Sequence, residues 1–182
     1  MDVAIQLSTP EDSVIIKNLY PLYLHDLSEF DGTQPNRYGV FDASNRLTTL
    51  ADVGEKQNLW WQKPAVLWPY LIQVDNRPAG FGLVASEPHV PQGVDFLLHE
   101  FFLAHPFRGQ GLAQEAAQMI FRKHRGNWEI YALPNHVRAI TFWRSAVNDY
   151  TAGRYEERVG LTSFGDRWMF RFDNHYGSGV GK

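Results

Sequence analysis

The chain has 182 residues, enough for one domain with a substantial hydrophobic core. A net charge of -3 and the lack of a basic block argue against nucleic acid as the main partner. Cysteine is absent, which excludes disulfides, thiolate metal ligands and a cysteine nucleophile. Neither a long apolar run nor a signal-peptide pattern is present, so we expect a cytoplasmic protein that does not contact the membrane.

The first third of the chain predicts one strand followed by a helix. Residues 3–7 alternate in polarity as a short strand does. Thr9 and Pro10 then predict a helix N-cap and first helical position, with the helix running toward Leu27 and Pro21 kinking or splitting it. We expect the segment at 28–32 to break the helical pattern, and residues 33–68 to be loop with a short helix near 55–62.

The middle of the chain predicts a hairpin and a buried strand. Two apolar runs within 69–86 flank Asp75-Asn76-Arg77-Pro78, which is typical of a tight turn. Residues 94–104 are too apolar to be exposed on either face, which indicates a central strand.

The last part predicts two helices and three strands. A helical stripe begins at Leu112, with Gly126 as the expected C-cap. A strand at 127–133, a helix at 136–149 and strands near 154–160 and 166–172 follow. The strand–helix–strand unit over 94–133 requires a parallel crossover, so we expect a mixed sheet with helices on both faces. We expect a single domain over 1–176 and a flexible tail at 177–182.

HPFRGQGLAQEAAQ, residues 105–118, predicts an anion site at the start of a helix. Gly109 and Gly111 let the main chain approach a phosphate, and Arg108 adds positive charge. The Lys-Ser/Thr pair of a nucleoside triphosphate loop is missing. Half of a dinucleotide-binding turn is present, but Gln114 replaces its third small residue. A glycine-rich cap without a ligand stays an alternative.

The segment Arg108–Ala113 also fits the pattern Arg/Gln-x-x-Gly-x-Gly/Ala. Together with the strand before it, FFLAHPFRGQGLAQEAA resembles the coenzyme A-binding segment of GCN5-related N-acetyltransferases (GNAT). The resemblance implies a three-layer α/β/α fold of the acyl-CoA N-acyltransferase (GNAT) type. Its mixed central sheet would have six to seven strands, with the fourth and fifth strands splayed apart. It further implies acetyl-CoA as co-substrate and no metal.

The resemblance also implies roles for individual residues. Main-chain N–H groups from Arg108, Gly109, Gln110, Gly111, Leu112 and Ala113 would hold the coenzyme pyrophosphate. Leu103 would lie near the thioester, and Asn135 and Trp143 would complete the coenzyme site. Two departures stand out: Asn135 lies one residue earlier than the family spacing, which places His136 there, and Trp143 replaces the usual Tyr acid. Trp has no titratable proton, so Tyr131, or else Tyr150, is the substitute acid.

The general base is predicted to be Glu100, because burial in an apolar strand raises the pKa of a carboxyl group. A salt-bridged carboxylate is the alternative. His99 and His105 flank Glu100, but their spacing is too long for a zinc motif, and we interpret both as ordinary histidines. Asp26, Glu29 and Asp31 lie among aromatic residues, which suits a cationic acceptor amine. A solvated helix end is the alternative there.

The resulting hypothesis is an N-acetyltransferase that moves the acetyl group of acetyl-CoA to a primary amine of a small molecule or peptide. Transfer would be direct, in a ternary complex. The alternative is a non-catalytic acyl-CoA-binding regulatory module. The high aromatic content leaves room for a homodimer interface.

Overall fold

The computed structural model describes residues 1–175, so the predicted tail lies outside the described residues. It contains one seven-stranded sheet and five α-helices within that range. The strands are β1 (Val3–Leu7), β2 (Leu67–Val74), β3 (Arg77–Ala85), β4 (Phe96–Leu103), β5 (Asn127–Ala132), β6 (Glu156–Thr162) and β7 (Gly165–Asp173). The helices are α1 (Ser13–Asp31), α2 (Leu50–Glu55), α3 (Leu59–Gln62), α4 (Leu112–Lys123) and α5 (Val137–Thr151).

The sheet is mixed, as predicted. Its strand order is β1-β2-β3-β4-β5-β7-β6, and every neighbouring pair is antiparallel except β4 and β5. The predicted hairpin joins β2 to β3 through a two-residue turn. Asp75 and Asn76 both have positive φ there, as the right-handed twist of a hairpin requires.

Helices cover both faces of the sheet, so the layered architecture is confirmed. On one face α1 packs on β3 and β4 through Ile16 and Tyr20, which join a buried cluster with Phe81. On the other face α4 and α5 enclose a cluster centred on Trp128 and Phe121. These two apolar layers hold β4 and β5 between them.

Three predicted boundaries were wrong. The first helix starts at Ser13, because Thr9 caps a preceding turn by accepting the Asp12 N–H. Pro21 does not split the helix, which continues to Asp31 and ends at Gly32 in the left-handed region.

Gly126 is not the C-cap of α4, a position that His124 occupies. Gly126 instead leads into β5, where its N–H donates to the side chain of Asn174. A Cβ at Gly126 would lie 2.7 Å from the carboxylate of Asp95, so the lack of a side chain serves packing.

Candidate active site

The parallel strands β4 and β5 separate after a short region of pairing. Only Phe96–Leu98 pairs with Trp128–Ile130. On its other edge β4 pairs with β3, where Leu83 faces Glu100 but Val84 faces Leu98, so His99 is the extra residue of a β-bulge. The predicted splay of the fourth and fifth strands is therefore confirmed.

A cleft of about 290 Å³ fills the gap between the two strands. On the side of α5 its walls are apolar and include Phe101, Ile130 and Trp143. On the side of α1 they include polar groups: Glu100 and Asp31. The cleft thus passes through the sheet and has an apolar half and a polar half.

Glu100 is the most perturbed carboxyl group in the cleft wall. Its side chain is 13% exposed, and its Oε1 accepts a hydrogen bond of 2.7 Å from the Tyr20 hydroxyl. Burial raises the pKa of Glu100 to about 7, although the Tyr20 hydrogen bond acts in the opposite direction. A carboxyl group with this pKa can accept and release protons near neutral pH, as general-base catalysis requires.

The turn before α4 presents main-chain N–H groups. Gly109 and Gly111 have positive φ, and no atom outside the turn lies within 4 Å of a Cβ built on either. The helix has no side-chain N-cap, and its first intrahelical donor is the N–H of Glu115. The N–H groups of Leu112 and Ala113 therefore have no intrahelical acceptor and are free for an anion.

The side chain of Arg108 has a different role from the one predicted. Its guanidinium group forms an ion pair with Asp26, donates from Nε to the Leu103 carbonyl at 2.6 Å and contacts His105. The positive charge is thus neutralised within the protein. Through these contacts Arg108 links α1 to the turn.

The backbone of β4 has free hydrogen-bonding groups along the cleft. The Ala104 N–H donates to the Ala79 carbonyl on β3. Because antiparallel pairs alternate, Phe102 also bonds toward β3, whereas the N–H groups of Phe101 and Leu103 face β5. Those two N–H groups lie where the strands have separated. Phe101 lines the cleft and Leu103 is not among the lining residues, so the place of Leu103 near the thioester stays a prediction.

The start of α5 is built differently from the prediction. The Asn135 side chain donates to the Phe30 carbonyl at 2.5 Å and so ties the loop to α1. His136 lines the cleft instead, and its Nδ1 caps α5 by accepting the Ala139 N–H at 3.1 Å. Trp143 is buried and lines the cleft, and its contact with the coenzyme stays a prediction.

The two tyrosines considered as acids are both engaged elsewhere. The ring of Tyr131 lines the cleft, but its hydroxyl donates to buried Glu129 at 2.5 Å. Burial and this carboxylate raise the pKa of Tyr131. Tyr150 lies in the α5 core, where its hydroxyl accepts from Asn174. Neither hydroxyl is directed at the point where the strands part.

The three acidic residues predicted for the acceptor lie on the last two turns of α1 rather than in a loop. Asp26 pairs with Arg108 and Glu29 pairs with Arg138, which compensates both carboxylates. Asp31 alone of the three lines the cleft. It also lines a second pocket of about 230 Å³ between α1 and the loop that precedes α2.

Sequence reasoning missed three residues that line the polar half of the cleft, namely His99, Phe164 and Arg167, and the Tyr20 hydroxyl that donates to Glu100. Phe164 and Arg167 belong to the hairpin between β6 and β7, which reaches the cleft from the far end of the chain. The Phe164 ring packs edge-on against His99 with ring centroids 5.3 Å apart. The one sequence signal for this contact is Phe164 itself, an aromatic residue in an otherwise polar turn.

Among residues 1–175, no group of three or more metal-ligating side chains is assembled as a metal ion would need. None of the helices over the same range is long and apolar enough to span a bilayer.

Comparison with solved structures gives close matches over nearly the whole chain. An acetyltransferase from Thermus thermophilus superposes with a TM-score of 0.66, covering 95% of this chain and 97% of that one at 14% identity. A protein from Desulfovibrio desulfuricans assigned to the GNAT family of acetyltransferases superposes with a TM-score of 0.60, covering 94% of this chain and 99% of that one at 13% identity. The chain has the GNAT fold. Aminoglycoside acetyltransferase AAC(6')-Ib, in complex with coenzyme A and kanamycin, superposes with a TM-score of 0.63. The match covers 94% of this chain and 95% of that one at 17% identity.

Among the comparisons with known proteins, structural similarity supports the GNAT fold and sequence similarity does not. No family model matches the chain, and no curated protein matches it. Structures of the GNAT fold are acetyltransferases in each of the three cases above.

Proposed function

We propose that the protein transfers the acetyl group of acetyl-CoA directly to the primary amine of a small molecule or peptide. The observation that carries this proposal is the cleft through the sheet, with its apolar half toward α5 and the buried Glu100 carboxyl on the α1 side. Two substrates that enter from opposite faces would meet between β4 and β5. The matching acetyltransferase with coenzyme A and kanamycin supports a small-molecule amine as acceptor.

The turn and the strand supply the groups that acetyl-CoA needs. Main-chain N–H groups from Gly109 to Ala113 would hold the pyrophosphate, since Gly109 and Gly111 leave the turn open. The Arg108 N–H, which the sequence pattern also included, donates to the His105 carbonyl instead. The N–H groups of Phe101 and Leu103 would polarise the thioester carbonyl, as in an oxyanion hole. The apolar walls around Trp143 suit the pantetheine arm.

The chemistry then needs a base but no enzyme nucleophile. The amine lone pair attacks the carbonyl carbon, and Glu100 takes a proton from nitrogen as the C–N bond forms. The C–S bond breaks and the sulfur leaves as a thiolate with the electron pair. With a thiol pKa of roughly 8.5 this thiolate can leave and take its proton from solvent. The absence of cysteine is consistent with direct transfer.

Calorimetric titration with acetyl-CoA tests the coenzyme site. Wild type should bind, and Gly111→Trp should abolish binding because the side chain fills the turn. Gly39→Trp is the matched control, since Gly39 also has positive φ and open space around it but lies in a distant loop. Absence of binding by wild type, or equal binding by both variants, would contradict the proposed site.

Transfer is then measured as release of free coenzyme A with a panel of amines: kanamycin, spermidine, lysine and tryptamine. Release that depends on an amine supports the enzyme. Binding of acetyl-CoA without transfer to any amine would favour the regulatory module instead.

A further inference from the structure

Two neighbouring polar atoms in the cleft have no hydrogen-bond partner. Among residues 1–175, His99 Nδ1 and Glu100 Oε2 are the buried side-chain nitrogen or oxygen atoms that lack one. Both residues line the cleft, and His99 Nδ1 lies 3.7 Å from the other Glu100 oxygen, Oε1. Buried polar atoms are nearly always paired, so two unpaired ones at the same point indicate a place for a ligand.

In the ionised form of Glu100 and the neutral form of His99, both atoms are hydrogen-bond acceptors. Tyr20 already occupies Oε1 of Glu100, which leaves Oε2 of the carboxylate free. Burial, with His89 nearby, lowers the pKa of His99, so its ring is neutral. Because Nδ1 is buried while the side chain is 32% exposed, we assign the ring proton to Nε2 and a lone pair to Nδ1.

The position of the His99 ring is fixed by its surroundings. As the extra residue of the bulge, His99 is outside the regular β3–β4 pairing. Its ring packs edge-on against Trp60 on one side and Phe164 on the other, at centroid distances of 5.7 and 5.3 Å. The two aromatic contacts hold Nδ1 beside the Glu100 carboxyl group.

We propose that His99 Nδ1 and Glu100 Oε2 together bind the acceptor nitrogen, each accepting one N–H, so that the site selects primary amines. A neutral primary amine has two N–H donors and one lone pair. With both donors bound, the lone pair is left for the thioester carbonyl. This inference rests on the proposed function and adds His99 as a residue that contacts the acceptor.

The proton balance fits this arrangement. As the C–N bond forms, Glu100 Oε2 takes the proton that it was accepting, and the C–S bond breaks to release the thiolate. The product amide keeps one N–H, which still donates to His99. A secondary amine has a single N–H, which Glu100 needs, so His99 Nδ1 would be left unpaired. When a buried acceptor is left unpaired in this way, kcat/KM for the secondary amine should be lower than for the primary amine by at least about tenfold.

The test compares tryptamine with N-methyltryptamine, or the best primary amine of the panel with its N-methyl derivative. In wild type, kcat/KM should be at least about tenfold higher for the primary amine. His99→Phe keeps an aromatic ring but has no acceptor, and should lower kcat/KM for the primary amine and bring the ratio near one. The side-chain oxygen of His99→Asn can replace Nδ1 as acceptor. This variant should restore much of kcat/KM for the primary amine and much of the preference over the secondary amine.

Other results separate the possible failures. A primary-to-secondary ratio unchanged in His99→Phe, with acetyl-CoA affinity intact, overturns the inference, since the discrimination would then be steric. The inference is also overturned if His99→Asn has no higher kcat/KM for the primary amine than His99→Phe. If wild type acetylates no amine, the proposed function itself fails. Should His99→Phe not fold, His99→Leu takes its place.

A second readout does not depend on activity. In the ligand-free protein the buried, unpaired His99 Nδ1 destabilises the fold. His99→Phe removes this atom, so the melting temperature of the ligand-free variant should be no lower than that of wild type. A purely structural histidine would give the opposite result.

Discussion

The pH dependence of stability tests the environment of Glu100 without any substrate. The pKa of this carboxyl group is raised from its usual 4.5 to about 7, which at 1.36 kcal/mol per pH unit corresponds to about 3 kcal/mol. Between these pH values the folded protein keeps a proton that the unfolded chain releases. The free energy of unfolding contributed by Glu100 is therefore fully present below pH 4.5 and is lost as the pH rises to about 7.

Glu100→Gln removes this loss because its amide does not titrate. Urea unfolding of wild type and variant at about pH 4 and about pH 8 should show the variant gaining about 3 kcal/mol relative to wild type between the two. Other titrating groups cancel in the difference. Glu156→Gln, an exposed site, is the control for removing a carboxylate. A relative change of less than about 0.5 kcal/mol would refute the argument that burial controls Glu100.

Two further predictions concern buried polar side chains outside the cleft. Asn174→Ala should lower the free energy of unfolding by about 3 kcal/mol, because buried Asn174 accepts the Gly126 N–H and donates to the carbonyls of Phe121 in α4 and of His124, its C-cap; a loss below about 1 kcal/mol in denaturant unfolding would contradict this. Asp42→Asn should destabilise the protein by about 2 kcal/mol at neutral pH. Although burial opposes it, hydrogen bonds from the Leu47 N–H and Ser44 lower the pKa of Asp42, so this stabilisation is present above the usual pKa of 3.8 and is lost in acid. Equal destabilisation of the Asn variant at about pH 3 and pH 7 would disprove it.

Local sequence signals were sufficient for the order of strands and helices. Polarity alternation and turn residues act over a few positions, and they correctly predicted the β2–β3 hairpin and the helix after Gly111. The end of α1 was wrong because tertiary contacts extend it. Phe30 stacks on His136 with ring centroids 3.6 Å apart, and that contact joins residues more than a hundred positions apart in the chain.

The same division applies to the candidate site. Glu100 could be proposed from sequence because a carboxylate within an apolar strand is visible locally. The proposed role of His99 could not be predicted from sequence. It depends on a bulge relative to β3 and on Phe164 from the β6–β7 hairpin. The partners of Arg108 and Asp26 were likewise hidden, because each appeared as a free charge until the fold brought them together.

The bulge at His99 has a consequence for the alternation of side chains along β4. Before the bulge, Leu98 points toward the α4 and α5 layer and Leu97 away from it. In a regular strand Glu100 would share the face of Leu98, buried among the apolar residues around Trp143. The extra residue shifts the alternation by half a period, so Glu100 reaches Tyr20 and Phe101 takes the apolar side. The extra residue therefore decides which face each side chain takes. Glu100 faces α1 and Phe101 faces α5, whereas the same residues in a regular strand would take the opposite faces.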